Sequence, residues 1–306
     1  MPMAHQIATS NEPQLLVAGG DADPNLAAVL ACLQKRAVPH EALLVGAHSH
    51  PRVTWDLDQD VLWINETAYC PSALFIRYDV FTSLAEGRPE PAQRALSWFT
   101  TVAGWAFAHP EVRLFNRARA QHATNKLLVL RIAQELGFDI PSTLVSNDLA
   151  LLSHNLEQRA LVVKPVAGGD YTQELPDVLD TAPVVNGSLP APAIVQERLV
   201  PPEIRVYRIH QRCFAYQLVA DALDYRSTTD CAVIPVAESD LPDGLTDRLA
   251  TLMDRLQMDF GAADFKACPH TGQLQFLEIN DGPMFAAFDA VSGGCLTDAL
   301  VDFLCQ

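Results

Sequence analysis

The sequence predicts an α/β domain at the N-terminus followed by α+β lobes, and two patterns carry that expectation. Near the start, a short apolar run from Gln14 to Ala18 ends in Gly19-Gly20. Helical periodicity then covers Pro24 to Gln34, with Leu26, Val29, Leu30 and Leu33 on one side, and a second apolar run occupies Glu41 to Val45. Strand, helix, strand in that order makes a βαβ unit, whose strands are parallel. From Ile194 onward, strand-like runs instead follow one another with only turn-length breaks between them, the spacing of antiparallel hairpins.

The remaining elements follow in order. Val61 to Ile64 and Ala73 to Arg77 read as strands, and Pro89 to Phe107 as a long helix opened by proline. Thr124 is placed to N-cap a helix from Asn125 to Leu136 that Gly137 stops at the C′ position. Ser142 to Val145 reads as a strand, Asp148 to Leu156 as a short helix and Leu161 to Lys164 as another strand, with a turn at Gly168-Gly169-Asp170. Pro176 to Pro192 is rich in Pro, Asp and Ala without periodicity and reads as a long surface loop. Ile194 to Val200, Ile204 to Ile209 and Cys213 to Ala220 are strands, the last two joined by a hairpin turn. Leu245 to Met258 is helical. Phe260 to Ala267 and Gln273 to Ile279 pair through a turn at Pro269 to Gly272, and Leu296 to Leu304 closes the chain as a helix.

Composition excludes several function classes. The formal net charge is −16 and the pI about 4.8, a surface that repels nucleic acid and anionic lipid. The seven cysteines contain no CxxC pair, and their odd number argues against a disulfide framework. No basic, apolar signal-like start and no membrane-length apolar run occur, so the expected location is the cytoplasm, with no membrane partner. Gly19-Gly20 lacks the spacing of a dinucleotide fingerprint. His48 and His50 read as solvated loop, and Trp98 and Trp105 as core.

Three groups of residues carry chemistry. Lysine is scarce, only Lys35, Lys126, Lys164 and Lys266 occurring. Lys126 opens a helix, and Lys164 ends an apolar strand, where an ammonium is costly to desolvate unless an anion meets it. Phosphate suits that position, with the backbone of Gly168 and Gly169 as a cradle; the alternative is a snorkelling or carboxylate-paired lysine. Asp264, Glu278 and Asn280 lie on two strands predicted to pair, and period-2 alternation puts Glu278 and Asn280 on one face. Three oxygen ligands on otherwise apolar strands suit Mg²⁺ better than an internal polar cluster. Arg205 and Arg226 offer guanidinium forks for phosphate or carboxylate, with a surface ion pair as the alternative.

The ordered set Asn125-Lys126, Leu161 to Pro165, Gln196-Glu197, Glu203 to Val206, Asp264 and Glu278-Ile279-Asn280 resembles the ATP-grasp enzymes. It is most similar to their RimK-like branch, which includes the microviridin-type peptide cyclases, or graspetide synthetases. The likeness covers roughly Asn116 to the C-terminus, and Ser72 to Phe81 is similar to the N-terminal domains of that branch. The resemblance implies an ATP-grasp fold with an N-terminal pre-ATP-grasp α/β domain in residues 1–115, a central lobe in 116–193 and a C-terminal lobe in 194–306. It implies that Lys126 and Lys164 hold ATP phosphates, and that Gln196, Glu197, Arg198 and Leu199 form the strand facing adenine. By the same likeness, Arg205 stabilises the transferring phosphate, Asp264, Glu278 and Asn280 bind Mg²⁺ (or Mn²⁺ in its place), and Arg226 meets a substrate carboxylate.

The implied reaction is ATP-dependent ligation of a carboxylate to an amine through an acyl phosphate, with a small carboxylic acid or an acidic peptide as substrate. A peptide macrocyclase forming side-chain esters or amides, and a kinase on the same fold, are the alternatives. A homo-oligomer is compatible with the family. Two departures bear on the substrate: Asp170 stands where the family offers Gly or Ser, and Asn280 is followed by Asp281-Gly282-Pro283-Met284-Phe285.

Overall fold

Leu15–Gly20 (β1) and His40–Val45 (β2) flank the helix Pro24–Lys35 (α1), as the alternating pattern predicts. The strands pair in parallel from Leu15 opposite His40 to Gly20 opposite Val45. Asp23 caps α1, its carboxylate accepting the Asn25 backbone N–H at 2.8 Å, while Pro24 occupies the first turn, where no N–H is needed. The computed structural model describes residues 15–46, 48–81, 89–167, 171–228 and 230–306.

These residues form two compact units. The first runs to Arg117 and is completed by Met284–Gln306; the second is Ala118–Pro283. In the first unit Ala73–Ile76 (β6) and Arg113–Leu114 (β7) join the parallel sheet in the order β2-β1-β6-β7. Val53–Asp56 (β3), Val61–Ile64 (β4) and Thr67–Tyr69 (β5) make a separate antiparallel sheet. The helix Pro89–Ala108 (α2) turns Val102, Trp105 and Ala106 into a core shared with Leu16, Leu62 and Leu74, and Trp98 packs against it. The closing helix Cys295–Leu304 (α8), with Ala286–Val291 (α7) before it, packs on α1. His48 and His50 are exposed.

The second unit holds two antiparallel sheets. The smaller comprises Thr143–Asp148 (β8), Leu161–Pro165 (β9), Gln173–Glu174 (β10) and Ser188–Glu197 (β11), in the order β10-β9-β11-β8. Leu149–Leu156 (α4) and Leu175–Thr181 (α5) cover it, with Leu152, Leu161, Val163, Leu175, Leu189 and Val195 as core. The larger comprises Val200–Ile209 (β12), Arg212–Ala220 (β13), Cys231–Val236 (β14), Phe260–Ala267 (β15) and Leu274–Asn280 (β16), in the order β14-β13-β12-β15-β16. Its apolar face, with Ile204, Val206, Ala263, Phe265 and Phe276, packs on Lys126–Glu135 (α3) and Leu245–Arg255 (α6).

Three expectations are corrected. Pro176 to Pro192 is not a loop: Leu175, Val178 and Leu179 share one helical face that enters the small core, and Pro176 sits in the first turn of α5. β11 then starts at Ser188, with a register shift before Ala193 that accommodates Pro190 and Pro192. Asn125, not Thr124, caps α3; its side chain accepts the Leu128 N–H at 3.1 Å, while Thr124 closes a 3₁₀ turn. The run Ile194 to Val200 is not one strand, because β11 ends at Glu197 and β12 begins at Val200. Among the described residues no helix is long and apolar enough to cross a membrane.

Candidate nucleotide and metal site

Cross-strand register gathers the candidate residues on the polar face of the larger sheet. Arg205 on β12 lies directly opposite Asp264 on β15, which lies opposite Glu278 on β16. After Asp264 the β15–β16 register slips by one residue, so that Phe265 meets Phe276. That bulge lets Glu278 and Asn280 share the face of Asp264 while Phe276 turns into the core; strict alternation would put Phe276 on the same face as Glu278.

The groups are close and largely buried. Arg205 grips Asp264 with two parallel bonds, Nε to Oδ1 and Nη2 to Oδ2, both 2.7 Å. Each residue is 6% exposed. Burial works against the Arg205 charge, but the Asp264 carboxylate outweighs it and raises the guanidinium well above its ordinary range. The Asn280 amide donates to Asp264 Oδ2 at 3.4 Å. Lys126 Nζ lies 3.1 Å from Glu278 Oε2. Burial pushes the Glu278 carboxyl up, yet Lys126 and Lys164 together pull it below the usual range. Lys164, on β9 opposite Ile194, is driven down by burial; Glu278 opposes that shift, Lys126 reinforces it, and Asp264 and Glu203 also act on it. Lys164 therefore lies within electrostatic reach of the carboxylates on that polar face.

Arg226 stands slightly apart, in a 3₁₀ turn after β13. Asp224 holds it through Nε at 2.9 Å and Nη2 at 2.6 Å, and also accepts the Thr172 N–H at 3.2 Å. Burial raises the Asp224 carboxyl, but the bonds from Arg226 and Thr172 prevail and bring it to about 2. Gly168 and Gly169, with Asp170, lie outside the described residues.

Along the chain between the two sheets, the N–H groups of Glu197 and Arg198 are committed to Ser142 and Ala160 at 3.1 and 3.0 Å. The Gln196 side chain is buried and donates to Thr143 Oγ1 at 3.0 Å. Glu197 pairs with His270, and Arg198 with Glu174, each at 2.8 Å. Their polar groups thus face protein partners, and of the four Arg198 and Leu199 line a cavity. That cavity, of about 290 Å³, is bounded by Leu199, Val200, Glu203, Leu218, Leu223 and Lys266.

Sequence reasoning missed three partners: Asp224, Glu203 and Lys266. Glu203 and Lys266 form an ion pair of 3.1 Å, directly opposite each other on β12 and β15. Their sequence signal is positional, since Glu203 lies two residues from Arg205 and Lys266 two from Asp264, on the same faces.

The overall arrangement can be compared with solved structures. The ATP-grasp ligase PsnB, complexed with a minimal precursor, superposes with a TM-score of 0.72 at 22% identity, over 95% of this chain and 99% of that one. The chain has the ATP-grasp fold. The macrocyclase MdnC of Microcystis aeruginosa, bound with precursor peptide MdnA, matches this ATP-grasp chain with a TM-score of 0.71 at 19% identity, over 96% and 99% of the two chains. D-alanyl-alanine synthetase A of Vibrio cholerae follows at 0.63 and 12%, over 96% and 98%. Neither a protein-family model nor a curated protein sequence matches the chain.

Proposed function

We propose that this ATP-grasp protein is an ATP-dependent ligase that activates a carboxylate, and that the carboxylate belongs to a peptide. The observation that carries the reading is the convergence of Lys126, Lys164, Arg205, Asp264, Glu278 and Asn280 on one sheet face beside the cavity. In the cavity Leu199 and Leu218 supply apolar walls for adenine, and the Glu203 carboxylate is an acceptor for ribose hydroxyls. The donor set at the far end is all oxygen. Among the described residues no three His, Cys, Asp or Glu side chains gather to hold a metal ion, and the set here is two carboxylates and an amide, Asp264, Glu278 and Asn280. Mg²⁺ fits such an open set, because it keeps waters and takes phosphate oxygens. When bound it would neutralise charge on the transferring phosphoryl group.

The chain's own part is positioning and electrostatics. Lys126 and Lys164 hold the phosphates, Arg205 faces the transferring phosphoryl group, and Arg226 orients the substrate carboxylate. A carboxylate oxygen attacks the γ-phosphorus and the bond to the bridging oxygen breaks, releasing ADP. An amine or hydroxyl then attacks the acyl carbon, loses its proton, and expels phosphate. The peptide reading is supported by PsnB and MdnC, solved with precursor peptides.

The test is ADP release from Mg·ATP with hydroxylamine present, across pools of amino acids, small carboxylic acids and acidic peptides. ADP together with a hydroxamate from the acidic-peptide pool, lost in Glu278→Gln, is the expected result. ADP without hydroxamate would mean a reaction that stops at a phosphorylated product or at water. Absence of ADP from every pool would end the ligase reading.

A further inference from the structure

Three of the four lysines of this acidic chain stand around one sheet face, and the third has no role so far. The Lys266 ammonium lies 3.1 Å from Glu203 Oε2 and 3.4 Å from the Leu223 carbonyl oxygen. The Lys266 and Glu203 side chains are only 12% and 15% exposed. Register makes this pair one rung of the sheet and Arg205–Asp264 a neighbouring rung on the same face. The two rungs are two residues apart, or about 7 Å at the rise of a β-strand.

That placement matters because Glu203 and Lys266 both line the cavity, whereas Asp264 and Glu278 lie beyond it. A nucleoside seated between Leu199 and Leu218, with its phosphates directed to Asp264 and Glu278, must cross the Glu203–Lys266 rung at its first phosphate. Glu203 alone would repel that phosphate, and its burial already disfavours the charged carboxylate. An ammonium has three N–H donors. Glu203 and Leu223 account for two, so the third can meet an oxygen of the nucleotide without breaking either bond.

On the reading of this site as a Mg·ATP site, we propose that Lys266 is a nucleotide-binding residue whose ammonium donates to the α-phosphate. A charge-neutralising role confined to Glu203 is the competing possibility, and the two differ in what they do to nucleosides. The experiment measures binding of adenosine, AMP and Mg·ADP by calorimetry, with adenosine followed by competition, to the full chain and to Lys266→Met and Lys266→Arg. The methionine variant keeps the length of the stem and loses the charge.

The expected result is that Lys266→Met weakens AMP and Mg·ADP by about tenfold or more, as loss of a charge-assisted hydrogen bond does. Adenosine affinity should stay within about twofold. Lys266→Arg should restore most of the AMP affinity. Equal weakening of all three ligands, or no change, would overturn the proposal while leaving the Mg·ATP reading intact. Failure of the unaltered chain to bind Mg·ADP would overturn both. A melting temperature for each variant separates lost binding from lost folding; if the methionine variant does not fold, Lys266→Gln takes its place, with selective weakening of AMP and Mg·ADP over adenosine deciding for the proposal and equal weakening or no change against it.

Discussion

At the scale of single residues, the Arg205–Asp264 pair is the most consequential contact of the site. Both groups are buried, so removing one deprives the other of its counter-charge in a low-dielectric setting. Asp264→Asn should therefore cost about 3 kcal/mol of folding stability in addition to abolishing turnover. Replacing both partners, as Arg205→Met with Asp264→Leu, should recover most of that stability and none of the activity; urea titration alongside the ADP assay separates the two effects. Lys164 makes a second prediction. Its ammonium is depressed by burial, so in alkaline solution the unfolded chain binds more protons at this position than the folded one. This contribution to stability consequently rises with pH, from the depressed value up to the ordinary lysine range. Bound phosphate favours the charged form, so Mg·ADP should bind with proton uptake in that window. Calorimetry in buffers of different ionisation enthalpy reads the uptake, and Lys164→Met should eliminate it.

At the scale of elements, the helix α3 presents Lys126 from its first turn, and the Asn125 cap decides where that turn starts. Asn125→Ala should lower stability by about 1 kcal/mol, the usual worth of an N-cap. It should also weaken Mg·ADP binding through Lys126, which a distant cap such as Asp148→Ala should not do. Most elements were legible because their periodicity is strong: the βαβ start, the long helix α2 and the hairpin pairs after Ile194 all fall close to their expected bounds. The stretch around α5 was not, since its prolines mask a helix of about two turns and a bulged strand. For the site, alternation alone told that Glu278 and Asn280 share a face. It could not tell that Arg205 meets Asp264 or that Glu203 meets Lys266, because those contacts depend on cross-strand register, which period-2 patterning leaves open. The thiol-bearing and histidine-bearing stretches carried little, and His48 and His50 indeed lie exposed.

At the scale of the whole molecule, five of the 21 Lys and Arg residues of this −16 chain stand at the candidate site. Lys126, Lys164, Lys266, Arg205 and Arg226 are each matched to a carboxylate close by or in their electrostatic surroundings. The site is therefore locally balanced before any ligand arrives, and on the proposed reading long-range attraction is not what would bring a nucleotide in. Association should depend weakly on ionic strength between low and physiological salt, in contrast to the steep dependence of polyanion-binding surfaces. Stopped-flow on-rates for a fluorescent ADP analogue across that range check this. The paired hydrogen bonds of Arg205 to Asp264 bear on the order of binding. Each Asp264 oxygen already meets the guanidinium, so on the proposed reading a bare divalent cation would compete with Arg205 for that carboxylate, whereas a cation carried on a polyphosphate brings its own counter-anion for Arg205 to turn to. On the proposed reading joint loading is expected: Mg²⁺ titrated alone should bind far more weakly than Mg·ADP, and metal and nucleotide should enter, and leave, as one body.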